Sequence, residues 1–233
     1  HEKVLPRLIH LAMKAKRLEP YRARVAGAAE GRVLEVGMGS GLNLPFYLDR
    51  AHEVVGLEPH PTLRAMAGHS RVTMLEGSAE EIPLESASID SVVTTWTLCS
   101  IPDVSAALVE MRRVLRPDGR LLFVEHGLAP EAEVQKTQRR WSPLWGKFTG
   151  GCHLDRKMDV LIRDAGFVLE DLQTGAELEG PRVGDSVVLG WIRWLAGRRV
   201  GNSMVLDWIR SFCGATGWEQ YGFGFDTPPC GAM

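Results

Sequence analysis

Three glycines and a carboxylate stand at alternate positions in one short stretch of the chain. Glu35 is followed by Gly37, Gly39 and Gly41, and a short apolar run precedes it. Such a run is typical of a buried strand. Glycine adopts backbone conformations that are barred to other residues and lets a ligand approach the main chain closely. We therefore expect a turn at the carboxyl end of a strand, which is where open α/β sheets bind ligands.

The spacing of these glycines distinguishes between two kinds of ligand. A dinucleotide-binding turn has the pattern G-x-G-x-x-G, but Leu42 occupies the place of its last glycine. The carboxylate of Glu35 would repel a pyrophosphate, whereas it would attract a ligand that carries an ammonium and a sulfonium. The pattern therefore favours a small cationic ligand over a dinucleotide.

A second acid follows the next predicted strand. Glu58 comes directly after the apolar run 53–57 and precedes Pro59. In nucleoside-binding folds an acid at this place accepts hydrogen bonds from the ribose hydroxyls. Glu58 therefore predicts a nucleoside beside the glycine turn. The alternative is a solvated glutamate in front of a turn.

A polar loop and two histidines complete the set of candidate site residues. Ser78, Ala79 and Glu80 follow the third predicted strand, where a loop can reach an adenine, although a plain surface loop fits nearly as well. His126 follows the fifth strand and is a candidate general base. Its alternative role is a hydrogen bond to a neighbouring loop. His153 is a candidate on the acceptor side, with loop packing as its alternative.

The elements that must position these residues alternate between strand and helix. The predicted strands are 32–36, 53–57, 72–75, 89–95, 120–125 and 167–172, with a further strand near 187–189. The predicted helices are 5–28 with a break near Pro20, 42–48, 61–67, 103–115 with Asp103 as its cap, one within 131–148, and 155–165 with Asp155 as its cap and Gly166 as its end. We expect a turn at 116–119 in which the glycine takes a positive φ. Alternation at this spacing predicts parallel βαβ units in a doubly wound α/β sheet.

Composition excludes several classes of protein. The chain has 233 residues and a formal net charge of −2, which does not favour a nucleic-acid partner. Its four cysteines form no C-x-x-C pair, so we predict no metal site, and their scatter fits a reducing cytoplasm. The apolar run near 187–195 is too short and too interrupted to span a bilayer.

Together these stretches resemble the class I S-adenosylmethionine-dependent methyltransferases. Within that class they resemble the ubiquinone/menaquinone-biosynthesis-like group and the methyltransferase-like proteins related to alkyl thiol methyltransferases. The resemblance covers about residues 5–182. It is carried by VLEVGMGSGLNLPFY (33–47), VVGLEP (54–59), EGSAEEIPLESASIDSVV (76–93), TLCSIPD (97–103), EMRRVLRPDGRLLFVEHG (110–127) and GGCHLDR (150–156).

The resemblance implies a Rossmann-like, seven-stranded, mostly parallel sheet whose last strand is antiparallel, with S-adenosylmethionine as the cofactor. The methyl acceptor would be a small molecule, either a thiol or a quinone-like aromatic ring. Ser78 stands where relatives usually carry an acid. The implied cofactor-binding residues are Glu35, Gly37, Gly39, Gly41 and Asn43 at the methionine end, Glu58 and Pro59 at the ribose, Ser78, Ala79 and Glu80 at the adenine, and Thr95, Thr97 and Leu98 towards the acceptor.

The chain divides into a methyltransferase domain, residues 1–182 with a helical start, and an extension, residues 183–233, that carries the last strand. The extension is rich in tryptophan and glycine. We favour aromatic packing on the domain over a substrate lid or a contact with a membrane surface. Two other functions stay open: a nicotinamide-dependent oxidoreductase, disfavoured by Leu42 and Glu35, and a non-catalytic S-adenosylmethionine-binding module, disfavoured by the intact turn and Glu58.

Overall fold

The computed structural model describes residues 4–67, 72–129, 131–174 and 187–193. These residues all belong to the compact unit that ends at Ala196. The predicted boundary at 182/183 and the extension beyond residue 193 lie outside the described residues.

A central sheet carries the fold, with its strands in the order β3-β2-β1-β4-β5-β7-β6. The strands are β1 Gly31–Val36, β2 Ala51–Leu57, β3 Val72–Leu75, β4 Ile89–Thr95, β5 Leu115–His126, β6 Val168–Thr174 and β7 Val187–Arg193. Strands β1 to β5 pair in parallel, and β7 runs antiparallel to both β5 and β6. The strand order reverses between β1 and β4, which opens a crevice at their carboxyl ends. The predicted α/β fold with a parallel central sheet is confirmed.

Helices connect the strands and cover both faces of the sheet. The α-helices are α1 Val4–Met13, α2 Glu19–Gly27, α3 Pro61–Met66, α4 Val104–Val114, α5 Ala132–Phe148 and α6 Met158–Asp164. Single 3₁₀ turns occur at Lys16–Leu18 and Leu44–Phe46. Among the described residues, no helix combines the length and the apolarity needed to cross a bilayer.

Alternate residues of each central strand belong to two separate apolar clusters. Leu34 and Val36 of β1 pack in a cluster with α4 and α6, whereas Val33 packs in a second cluster with α2. Since successive strand residues point to opposite faces, the sheet is buried on both sides. That burial explains why its strands read as continuous apolar runs.

Two predicted helix boundaries are wrong. The break in the first helical segment falls at Lys14 and Ala15, not at Pro20, which lies in the first turn of α2 where proline is tolerated. Asp155 does not cap α6. Its Oδ1 accepts a hydrogen bond from the hydroxyl of Ser142 at 2.7 Å, and the helix begins only at Met158.

The predicted helix over residues 42–48 is also wrong, since only one 3₁₀ turn forms there. Asn43 and Tyr47, on either side of that turn, both donate to the buried carboxylate of Glu35. Tyr47 is extended, with a ψ of 132°. Because both ends of the turn are tied to one side chain, the segment cannot continue as a helix.

Other local predictions are confirmed or corrected by the backbone. Asp103 caps α4, because its Oδ1 accepts from the backbone N–H of Ala106 at 3.0 Å. Gly166 follows α6 with a φ of 86°. Residues 116–119, predicted as a turn, lie within β5, where the pairing with β4 is irregular. There Asp118, and not the glycine, takes the positive φ of 65°. Gly119 is needed for space, because a Cβ there would lie 2.9 Å from the carbonyl oxygen of Arg116.

Candidate functional site

The three glycines after β1 share a positive φ but differ in what surrounds them. Gly37, Gly39 and Gly41 have φ values of 68°, 59° and 76°. A Cβ at Gly37 would collide with the side chain of Thr97, and one at Gly41 would lie 3.0 Å from the carbonyl oxygen of Ala67. Among the described residues, a Cβ at Gly39 would have one neighbouring atom within 4 Å, the carbonyl oxygen of Gly37 at 3.9 Å. Gly39 is therefore the position where a ligand can approach the main chain.

Glu58 lies beside Gly39, at the end of β2. Its Oε2 accepts from the N–H of Gly39 at 2.8 Å, and its Oε1 accepts from the N–H of His60 at 2.9 Å. The side chain is 5% exposed. An ionised carboxylate has about four acceptor positions, so each oxygen keeps one for a further donor. This arrangement can receive two adjacent hydroxyls.

Glu35 lies at the same edge of the sheet, but its oxygens are already engaged. The amide of Asn43 donates to Oε1 at 2.8 Å and the hydroxyl of Tyr47 donates to Oε2 at 2.7 Å. Burial raises the pKa of Glu35 to about 7, against the opposing effect of these two hydrogen bonds and of Arg22. Glu35 therefore holds the segment after the glycine turn through Asn43 and Tyr47.

Arg22 of α2 is a buried cation that the sequence analysis missed. It is 5% exposed, and Nη1 donates to Oδ1 of Asn43 at 2.7 Å. Its guanidinium lies 4.9 Å from the ring centroid of Trp96. Burial lowers the pKa of Arg22 to about 10, although Glu35 opposes the shift. In the sequence, Arg22 looks like any charged residue of a surface helix, so no signal marks it.

Glu125, near the end of β5, is the second missed residue. It is fully buried and accepts from the backbone N–H groups of Thr97, Leu98 and Cys99 at 2.9, 3.0 and 3.2 Å, and from the hydroxyl of Thr94. Burial raises its pKa, and these donors oppose the rise. Glu125 thus fixes the loop after β4.

The predicted residues of that loop differ in what they can contact. The hydroxyl of Thr95 accepts from the amide of Asn43 at 3.0 Å. Thr97 is half-buried against Gly37. The side chain of Leu98 is fully buried in the core, so it is the backbone of Leu98 that lies at the edge of the sheet.

The loop after β3 joins the start of α4. The hydroxyl of Ser78 donates to Oε2 of Glu80 at 2.8 Å, and Oε1 of Glu80 accepts from the N–H of Asp103 at 2.7 Å. Ala79 is buried, whereas Ser78 and Pro59 are exposed. These contacts tie the predicted adenine loop to the start of α4.

Helix α1 lies over the glycine turn. Nδ1 of His10 is 2.6 Å from the hydroxyl oxygen of Ser40, within the turn. A Cβ at Gly150, after α5, would lie 3.6 Å from Cδ1 of Ile9. Helix α1 and the end of α5 therefore border the carboxyl edge of the sheet.

The two candidate bases have different surroundings. Nδ1 of His126 lies 3.4 Å from Sγ of Cys152 and 3.8 Å from Sγ of Cys99. The contact between the two sulfurs raises the pKa of Cys99 and lowers that of Cys152. His153 is exposed, and its backbone N–H donates to the carbonyl of Cys99 at 2.8 Å.

Comparison with known proteins places these features in a family. The methyltransferase domain family matches residues 34–123. Thiol S-methyltransferase TMT1B of Homo sapiens is 33% identical in an alignment of 169 residues that covers 66% of this chain and 68% of that protein. The TMT1B protein of Rattus norvegicus is 33% identical in an alignment of 148 residues that covers 59% of this chain and 60% of that protein. The chain therefore spans about 60% of the length of the rat relative.

Similar solved structures support the fold. A Thermotoga maritima protein, described as an S-adenosylmethionine-dependent methyltransferase and possible histamine N-methyltransferase, superimposes with a TM-score of 0.62. Its sequence is 21% identical, and the match covers 83% of this chain and 99% of that one. At this identity the likeness concerns the arrangement of helices and strands.

Proposed function

The chain belongs to the class I S-adenosylmethionine-dependent methyltransferases, and on that premise we propose that it transfers a methyl group to a small thiol. The family uses S-adenosylmethionine as its cofactor. The strand order supports the seven-stranded sheet with an antiparallel β7 that we expect for this family.

The observation that carries the proposal is the pairing of Glu58 with Gly39. The carboxylate is oriented by a backbone N–H of the glycine turn and keeps free acceptor positions beside the open space at Gly39. A ribose bound there would present two hydroxyls to Glu58. A methionine chain would then pass along the glycine turn, where the negative charge of Glu35 favours its ammonium and sulfonium.

The remaining predicted residues take their roles from this placement. We assign the loop of Ser78, Ala79 and Glu80 to the adenine, and Pro59 to the ribose side. Asn43 is held by Glu35, Thr95 and Arg22, so it is a rigid polar group at the methionine end. The acceptor side is formed by Thr97, the backbone of Leu98 and the segment that leads into α6.

Apolar side chains near the acceptor side support a small apolar substrate. Helices α1 and α5 border this edge, and they expose Leu8, Leu11, Trp141, Leu144, Trp145 and Phe148. A thiol with a pKa of about 8.5 is already partly ionised at neutral pH. The protein therefore needs to position the thiolate and exclude water more than to remove a proton. His153 is the exposed candidate to receive that proton.

When bound, S-adenosylmethionine supplies a methyl group on a sulfonium sulfur, and after the transfer that sulfur is part of a neutral thioether, the leaving group. No acid is then needed to protonate the leaving group. This explains how the site can work without a catalytic triad. Alignment of the thiolate with the methyl group is the main task of the loops after β1 and β4, and Glu125 and Arg22 hold those loops.

The test is a comparison of acceptors with one enzyme preparation. Purified protein is incubated with S-adenosylmethionine and, separately, with a short alkyl thiol, a phenol and a quinol, and both the methylated product and S-adenosylhomocysteine are measured. We expect the S-methyl product to form fastest. Methylation of the phenol or quinol with the thiol untouched would refute the thiol proposal. Binding of S-adenosylhomocysteine with no product from any acceptor would support a non-catalytic binding module instead.

A further inference from the structure

Three side chains capable of binding a metal meet outside the residues assigned to the cofactor. Cys99 follows β4, His126 ends β5, and Cys152 lies between α5 and α6. The two sulfurs are 3.4 Å apart, and Nδ1 of His126 is 3.4 Å and 3.8 Å from them. We name these three residues the thiol–imidazole cluster.

These separations match the edges of a tetrahedral metal site. A zinc ion lies about 2.3 Å from each sulfur and about 2.0–2.1 Å from an imidazole nitrogen. At tetrahedral angles, two sulfurs are then ~3.8 Å apart, and a sulfur and a nitrogen are ~3.5 Å apart. Shifts of a few tenths of an ångström in the cluster would bring all three donors to those distances.

The backbone around the cluster holds the donors in place. The N–H of Cys99 donates to Oε2 of Glu125 at 3.2 Å, and the carbonyl of Cys99 accepts from the N–H of His153 at 2.8 Å. Gly150 and Gly151 have φ values of 71° and 95°, and the turn they form delivers Cys152 to Cys99. Both cysteines are nearly fully buried. Rigid, converging donors of this kind lower the entropic cost of binding an ion.

We propose that the thiol–imidazole cluster binds one Zn²⁺ ion through Sγ of Cys99, Nδ1 of His126 and Sγ of Cys152. Two thiolates and a neutral imidazole balance the charge of the ion, so binding releases two thiol protons to solvent. Three protein ligands leave one tetrahedral position for water or another donor. His126 is then a metal ligand in this chain and not the general base.

No sequence pattern marks this site, because its ligands are far apart along the chain. Cys99 and Cys152 are separated by 53 residues, whereas sequence patterns for zinc depend on close pairs such as C-x-x-C. Only the pairing of β4 with β5, and the return of the chain after α5, bring the three side chains together. The predicted absence of a metal site followed from spacing alone.

Cobalt provides the test, because tetrahedral thiolate sites give Co²⁺ a charge-transfer band in the near ultraviolet and strong visible bands. Reduced, metal-free protein comprising residues 1–233 is titrated with CoCl₂ and then with ZnCl₂. We expect one cobalt per chain, displaced by one zinc. Cys99→Ser and Cys152→Ser should each weaken zinc binding at least ~10-fold. Replacement of the other two cysteines, Cys213→Ser with Cys230→Ser, is the matched control and should leave the bands unchanged.

Two results of the cobalt titration would overturn the proposal. One is the lack of a thiolate–cobalt band in the reduced wild-type protein with excess metal. The other is a band that persists when Cys99 and Cys152 are both replaced by serine. Zinc-edge X-ray absorption needs only the wild-type protein, so misfolding of a variant cannot affect the result. It should show two sulfurs and one nitrogen from the protein. An all-oxygen or all-nitrogen shell would contradict the assignment.

Discussion

Glu58 is oriented by two backbone hydrogen bonds, one from the glycine turn and one from His60. We predict that Glu58→Ala weakens the binding of S-adenosylhomocysteine by about 1–3 kcal/mol, because two ribose hydroxyls lose their acceptor. That is roughly a 5- to 150-fold rise in Kd, measurable by isothermal titration calorimetry.

The matched control for this substitution lies on the same strand. Glu53 is near the opposite end of β2, where its carboxylate is half-exposed and pairs with Arg32 at 3.0 Å. Glu53→Gln should leave the affinity unchanged. Equal affinities for wild type and Glu58→Ala would remove Glu58 from the binding site.

The buried Glu35 predicts a pH dependence of stability. Its pKa is raised by burial to about 7 in the folded chain, from an ordinary value of 4.5. Between those values the folded protein binds more protons than the unfolded chain, so the contribution of Glu35 to stability is greatest at low pH and falls as the pH rises towards 7. Relative to Glu35→Gln, the wild type should therefore lose about 2–3 kcal/mol of unfolding free energy between pH 5 and pH 8.

Urea unfolding of both proteins at several pH values measures this difference directly, since the other titrating groups are common to both. A difference that is constant over the range, or that grows with pH, would show that Glu35 is ionised throughout. In that case the charge of Arg22 and the donors Asn43 and Tyr47 would outweigh burial.

At the scale of elements, the glycine turn contains one glycine that packing requires, Gly37, and one that we expect ligand binding to require, Gly39. Alanine at either Gly37 or Gly39 would have to adopt a positive φ, which destabilises the folded chain by about 1–2 kcal/mol. Gly37→Ala also collides with Thr97, whereas the Cβ of Gly39→Ala enters open space. We predict that Gly37→Ala destabilises the fold more than Gly39→Ala. The latter should retain most of the stability and lose at least ~10-fold in affinity for S-adenosylhomocysteine.

Chemical unfolding and calorimetry on the two variants distinguish these effects. The opposite pattern, in which Gly39→Ala binds normally and unfolds easily, would place the ligand away from Gly39. Gly41→Ala is a further comparison, because its Cβ would press on Ala67.

Strands and caps could be predicted because their signals are local. The run before Glu35 and the Asp103 cap each depend on a few neighbouring residues, and the structure has both. The helix expected over 42–48 failed because its ends are tied to Glu35, a contact that local propensity does not contain. Asp155 has the right type for a cap, but Ser142 of α5 engages it instead.

At the scale of the whole molecule, the sequence predicts those residues of the candidate site whose positions follow from the order of the strands. Parallel strands bring their carboxyl ends to one edge, so an acid after β1 and an acid after β2 could be placed together from the sequence. Arg22 and Glu125 were missed because their partners come from distant parts of the chain: Arg22 lies 21 residues from Asn43, and Glu125 lies 26 to 28 residues from its backbone donors. Buried polar contacts of this kind fix the loops at the carboxyl edge of the sheet.

Cofactor binding should therefore stabilise the molecule as a whole. In the proposed site the ligand would bridge the loops after β1, β2 and β3. A ligand that binds only the folded state adds RT ln(1 + [L]/Kd) to the unfolding free energy, about 2.7 kcal/mol at 100 times Kd. For a chain of this size that corresponds to a rise in Tm of roughly 5–10 °C. In Glu58→Ala at the same ligand concentration, a 10-fold weaker Kd should remove about 1.3 kcal/mol of the gain. A ligand that calorimetry shows to be bound, but that leaves Tm unchanged in scanning calorimetry, would mean that the unfolded chain binds it equally well and that the crevice between β1 and β4 is not its site.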